Sequence, residues 1–99
     1  MTIQNPNKFH AYGSVSAAGA KVSGAGFVSA NTGVGTNTLT LDQGVKSTAC
    51  ACIAVVRGAT DGYCTVAHTS DTVKTVNAFD KGGVAQDVAF DFLILRAPG

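Results

Sequence analysis

VAFDFLIL, residues 88–95, is the most apolar run of the chain and is followed only by residues 96–99. Read alternately, it places Val88, Phe90, Phe92 and Ile94 on one face and Ala89, Asp91, Leu93 and Leu95 on the other. Eight residues are few for a globular helix, and the aromatics favour a strand. Apart from Asp91, both faces are apolar. Such a strand is central in a packed structure, or it faces a core on one side and a neighbouring subunit on the other. The expectation is an all-β domain completed by this strand. Asp91, its single charge, is expected to pair with Arg57 or Arg96, or to sit at a subunit interface where an ion pair fixes register.

Working outward, ACACIAVVR (49–57) is the second most apolar run, and YCTVAH (63–68) reads as its hairpin partner across the turn GATDG (58–62). TVKTVNAF (72–79) alternates, and its double step at Thr75 and Val76 suggests a bulge. DKGG (80–83) is a turn. Upstream, KFHAYGSV (8–15) is a strand in which Gly13 marks a bulge or a close backbone approach. VSGAGFVSA (22–30) reads as one weak strand interrupted by Gly24 and Gly26. NTGVG (31–35) is a turn, and TNTLTL (36–41) alternates cleanly. Residues 1–7 have no period and read as an arm, leaving 8–99 as one domain. The turn signals separate seven or eight strands and no helix of three turns. That is the pattern of a single antiparallel β-sandwich, jelly-roll-like.

Composition narrows the function classes. Seven Lys plus Arg face six Asp and no Glu, so there is no basic field for nucleic acid and no polybasic anchor for a membrane. No run reaches the roughly 18 apolar residues that would span a bilayer. The N-terminus lacks the basic-then-apolar layout of a secretory signal, so synthesis in a cytoplasm is expected. Charged residues make up 13% of the chain, against roughly 25% in ordinary soluble domains. A surface this poor in charge either shows water many Ser, Thr and Asn groups or is partly covered by other subunits.

Candidate chemistry is sparse. If the 49–68 hairpin turned about Ala59 and Thr60, Cys52 would oppose His68 with Cys50 one pleat away, and two thiolates and an imidazole could hold a soft metal. A fourth ligand is missing, and buried thiols beside a satisfied histidine are the default. Cys50 and Cys52, about 6.5–7 Å apart along a strand, are too far apart and wrongly aimed for a relaxed disulfide. No Gly-x-Ser-x-Gly elbow occurs, and nothing sets the separation of the carboxylate pairs Asp87/Asp91 or Asp71/Asp80. The glycines of SGAGF and GVGTN are followed by no helix that would cradle a phosphate. No catalytic residue, metal or cofactor is expected, and the chain does not read as an enzyme.

The order of motifs carries more. Ala11, Gly13 and Val15 fit an "A-x-G-x-V" strand. Gly19, Ser23, Gly24, Gly26 and Phe27 fit a "G-x-x-x-S-G-x-G-F" hairpin. Residues 31–35 with 38–41 fit a following "T-G-x-G" turn and strand, and FDFLIL fits a terminal "F-x-F-x-V/I" strand. Over about residues 11–96 the chain resembles the small Gly-rich β-domain of tailed-phage fibre, head-fibre and capsid decoration proteins. Asn37, where that pattern commonly has an aromatic, departs from it. The resemblance implies a jelly-roll-like sandwich that trimerises like tumour-necrosis-factor and complement heads, and a virion location. It implies a homotrimer bound to a major capsid protein or another virion protein as decoration or cement. Val88, Phe90, Phe92, Ile94 and Asp91 would then be candidates for the three-fold interface. Thr2, Ile3, Gln4, Asn5, Pro6 and Asn7 would be the capsid-docking arm. The alternative is a receptor-binding fibre tip whose exposed loops, with Asn31, Thr32, Asp61 and Lys81, contact host glycans.

Overall fold

The structure, a computed structural model, describes residues 9–58 and 61–96. The proposed arm, Thr2 to Asn7, lies outside the described residues. Eight strands form: β1 (Phe9–Val15), β2 (Lys21–Ala25), β3 (Phe27–Gly33), β4 (Thr36–Leu41), β5 (Cys50–Val56), β6 (Tyr63–His68), β7 (Val73–Phe79) and β8 (Phe90–Arg96). A single 3-10 turn, Ser47–Ala49, is the one helical feature among the described residues. The strands make two four-stranded sheets, ordered β2-β1-β8-β5 and β3-β4-β7-β6. Every pairing is antiparallel. The expected all-β sandwich is therefore the fold.

The core lies between the sheets and is built mainly from the inward phases of β1, β3, β4, β7 and β8. Ala11, Val15, Phe27, Leu39, Leu41, Val76, Phe90, Phe92 and Ile94 are all buried in it. Each large aliphatic or aromatic side chain removed from water there contributes about 1.5–3 kcal/mol. Phe27 meets Phe92 edge to face with ring centroids 4.6 Å apart. That contact depends on Gly13, because a Cβ there would lie 2.5 Å from the Phe27 ring. Gly13 thus marks a close approach, as its place in the strand suggests.

Several sequence expectations are corrected. Residues 22–30 are two strands in different sheets. Gly26, at φ +89, turns the chain from the β2 edge of one sheet to the β3 edge of the other, a conformation open to glycine alone at low cost. The hairpin of residues 49–68 does not form. β5 pairs with β8 and β6 with β7, so Cys52 stands beside Ile94 and His68 beside Lys74. Local alternation cannot tell a hairpin from a crossover between sheets, and here the connection crosses. The bulge expected at Thr75 and Val76 is also absent, since β7 pairs with β4 and β6 without a register shift. The alternation is regular once Lys74 is placed inward, where it is fully buried.

The interface candidates on the terminal strand are corrected too. Phe90, Phe92 and Ile94 lie inside one chain's sandwich, and Val88 is buried just ahead of β8. These four side chains are used up in the core of a single subunit. The face of β8 left for any neighbour carries Asp91, Leu93 and Leu95, all half-buried.

Candidate functional site

The outer face of the β2-β1-β8-β5 sheet is the most unusual surface of the molecule. Register aligns its outward residues in rows across three strands. Tyr12, Leu93 and Ile53 form one row; Ser14, Asp91 and Val55 form the next. Leu95 and Ala51 continue the patch. Tyr12, Ile53 and Val55 are 50%, 56% and 54% exposed.

β5 explains why the patch is there. Its inward phase is Cys50, Cys52, Ala54 and Val56; its outward phase is Ala51, Ile53 and Val55. Small residues line the space between the sheets, and Ile53 and Val55 are turned to the outside. A strand adapted only to one chain's core would put its bulk inward. β5 is also an edge strand, seven residues long with no charge and no proline. Protein edges are usually blunted by such residues or covered.

One polar group interrupts the patch. Asp91 accepts a 2.6 Å hydrogen bond from Ser14 Oγ, and Arg57 Nε lies 3.8 Å from the same carboxylate oxygen. Of the two partners expected for Asp91, the structure selects Arg57. Both side chains are about half exposed, so in a lone subunit the pair contributes at most about 1 kcal/mol.

The loop candidates Asn31, Thr32, Asp61 and Lys81 are all exposed. Asn31 and Thr32 belong to β3, which runs on to Gly33, so the turn shrinks to Val34 and Gly35. Asn31 and Asp61 are tied into one end of the sandwich by the segment ahead of β8. Asp87 accepts from Asn31 Nδ2 at 3.0 Å and from the Gly35 amide at 2.8 Å, which holds its carboxyl below the usual carboxylate range. Gln86 Nε2 donates to the carbonyls of Asp61 (3.2 Å) and Phe79 (3.1 Å). Beside this end is an open depression of about 360 Å³ lined by residues that include Val56, Asp61, Tyr63 and Cys64. Tyr63 there stacks on Phe79 with centroids 5.3 Å apart.

At the other end, buried Lys74 donates to the carbonyls of Val45 (3.0 Å), Ser70 (2.7 Å) and Asp71 (3.4 Å) and meets His68 Nδ1. Sequence reading missed this group, the clamp of Gln86 and Asp87, and the outer-face role of Tyr12, Ile53 and Val55. The signal for the last was present, since the bulky and small residues of 50–56 alternate. Among the described residues, no three His, Cys, Asp or Glu side chains are placed to hold a metal together. No helix there is long and apolar enough to cross a membrane.

What the fold and surface define is a small antiparallel β-sandwich with one apolar sheet face left without a partner. Comparison with protein-family models, with curated proteins and with solved structures finds no match.

Proposed function

We propose that this chain is a structural protein of a tailed-phage virion, a homotrimer that docks on the major capsid protein as decoration or cement. The observation that carries the reading is the outward turn of Ile53 and Val55 beside Leu93, Leu95 and Tyr12 on an uncharged edge strand. A face of that kind is stable when a second subunit covers it. The motif order from Ala11 to Leu95 supports the virion class and the number three. Docking would be multivalent: three weak contacts, once tethered, raise one another's effective concentration. Catalysis plays no part in this reading.

Sedimentation of the full chain at micromolar concentration tests the assembly. A stable trimer is the expected result, and a folded monomer overturns it. Co-sedimentation with undecorated capsid shells tests the partner. Removal of residues 1–7 is expected to weaken shell binding and leave the trimer whole.

The second reading is a glycan-binding fibre tip. It is favoured by the depression beside Asp61, where Tyr63 is 47% exposed and stacked on Phe79, an aromatic platform of the kind sugars use. A glycan array separates the two, because a cement protein shows no selective binding.

A further inference from the structure

We propose that Cys50 and Cys52 form a two-thiolate clip for a soft, thiophilic centre, such as a thiolate-seeking d10 cation or a trivalent arsenical. The proposal is independent of the virion reading and stands on the geometry of β5. Residues i and i+2 of a strand share a face. Both side chains point between the sheets at the β5/β6 side of the sandwich, where no backbone pairing joins one sheet to the other. The opposite side is joined by the Gly26 corner, whereas here β5 only packs against β6, with each thiol half-buried against the core.

Their sulfurs are 3.9 Å apart. Two metal–sulfur bonds of about 2.3 Å at a tetrahedral angle place the sulfurs about 3.8 Å apart, so the pair already has the bite of a chelate. A disulfide would need the sulfurs to close to about 2.05 Å, far from the spacing found. Both cysteines keep partial exposure. Cys50, at the start of β5, also borders an open depression of about 250 Å³ with Thr48, Ala49, Ala51, Leu95 and Arg96, which does not extend to Cys52. Burial, and after it the neighbouring Cys50, push the Cys52 thiol up to about 11, and the Lys74 ammonium offsets this only in part. No third protein ligand joins the pair among the described residues, so water or a small-molecule thiol completes the coordination.

A divalent cation replaces two thiol protons, which pass to solvent, and two S–M bonds form with no change of oxidation state. With an arsenoxide, two As–S bonds replace the As–O linkage, and the oxygen leaves as water with both thiol protons. In each case two protons are released or consumed in water, so capture of the cation strengthens as pH rises.

Phenylarsine oxide is the probe, because its arsenic is held firmly by two thiols and weakly by one. The native full-length chain is expected to take up one equivalent. Cys50→Ser and Cys52→Ser each lose it, and Cys64→Ser keeps it. Cadmium alone should give one equivalent of thiolate-to-metal ultraviolet absorption with the same dependence on the variants. Should a serine variant fail to fold, the native adduct decides. Trypsin cuts after Lys46 and Arg57, so residues 47–57 carry both thiols in one peptide and Cys64 falls in residues 58–74. Phenylarsenic bridging residues 47–57 supports the clip. No adduct, an adduct on residues 58–74, or uptake that survives Cys50→Ser or Cys52→Ser overturns it.

Discussion

Lys74 Nζ donates to the Val45 carbonyl at 3.0 Å from a side chain with no solvent exposure. The same ammonium reaches Ser70 and Asp71, so one cation holds the connection after β4 to the turn before β7. A buried charge is tolerable here because carbonyl dipoles surround it. Lys74→Met keeps the apolar stem and removes the donors. It is expected to cost about 2–3 kcal/mol in urea unfolding, mainly from acceptors left without partners. An unchanged midpoint would show that water replaces the ammonium without loss.

Asp87 clamps the opposite end, and its effect depends on pH. Hydrogen bonds from Gly35 and Asn31 lower its pKa in the folded chain. Its contribution is therefore present above the unfolded value, about 3.9, and is lost as pH falls through the lower folded value. Asp87→Asn is expected to flatten the acid limb of stability as pH falls below the unfolded value, about 3.9, and to leave the neutral-to-alkaline limb parallel to the original. Thermal unfolding across that range reads the difference. Parallel curves at acid pH would remove Asp87 from the account.

Most strands, though not the break at Gly26, were legible in the sequence because alternation is local. Residues 36–41 and 90–95 fall where their pattern puts them. Partnership was not legible. Nothing in 49–68 distinguishes a hairpin from a crossing between sheets, and the answer lies in β8, about forty residues from β5 along the chain, which takes β5 as its neighbour. Lys74 hid the phase of β7, because a lysine is read as outward unless its acceptors are known, and those acceptors are backbone atoms of other segments. The residues offered for a subunit contact fell on the core phase for a related reason. Both phases of 88–95 are apolar, and only the sandwich shows that Phe90, Phe92 and Ile94 are spent on the core.

Gly13 makes a sharper test of the core. A Cβ at this position would lie 2.4 Å from the Ser23 carbonyl oxygen and 2.5 Å from the Phe27 ring. Phe27 has no room to retreat, since it is buried against Phe92. Gly13→Ala is expected to destabilise by about 3 kcal/mol, although alanine is ordinarily the milder residue in a strand. A loss below about 0.5 kcal/mol in urea unfolding would mean that β1 and β3 can separate at little cost.

Ile53 tests whether the outer sheet face is a subunit contact. It sits in the middle row, between the patch's polar end at Asp91 and Arg57 and its apolar end at Leu95. Because its side chain points away from its own core, Ile53→Asp should leave the monomer folded, with an unchanged circular dichroism spectrum. In a trimer that buries this face, the same change brings carboxylates against apolar neighbours in every copy, and association should weaken at least about 100-fold. Thr65→Asp, on the exposed face of β6 in the other sheet, is the control and should sediment as the unmodified chain does. If Ile53→Asp remains trimeric and Thr65→Asp falls apart, the subunit contact lies on the β3-β4-β7-β6 sheet. The outward bulk of β5 would then be left for a partner other than a second copy of this chain.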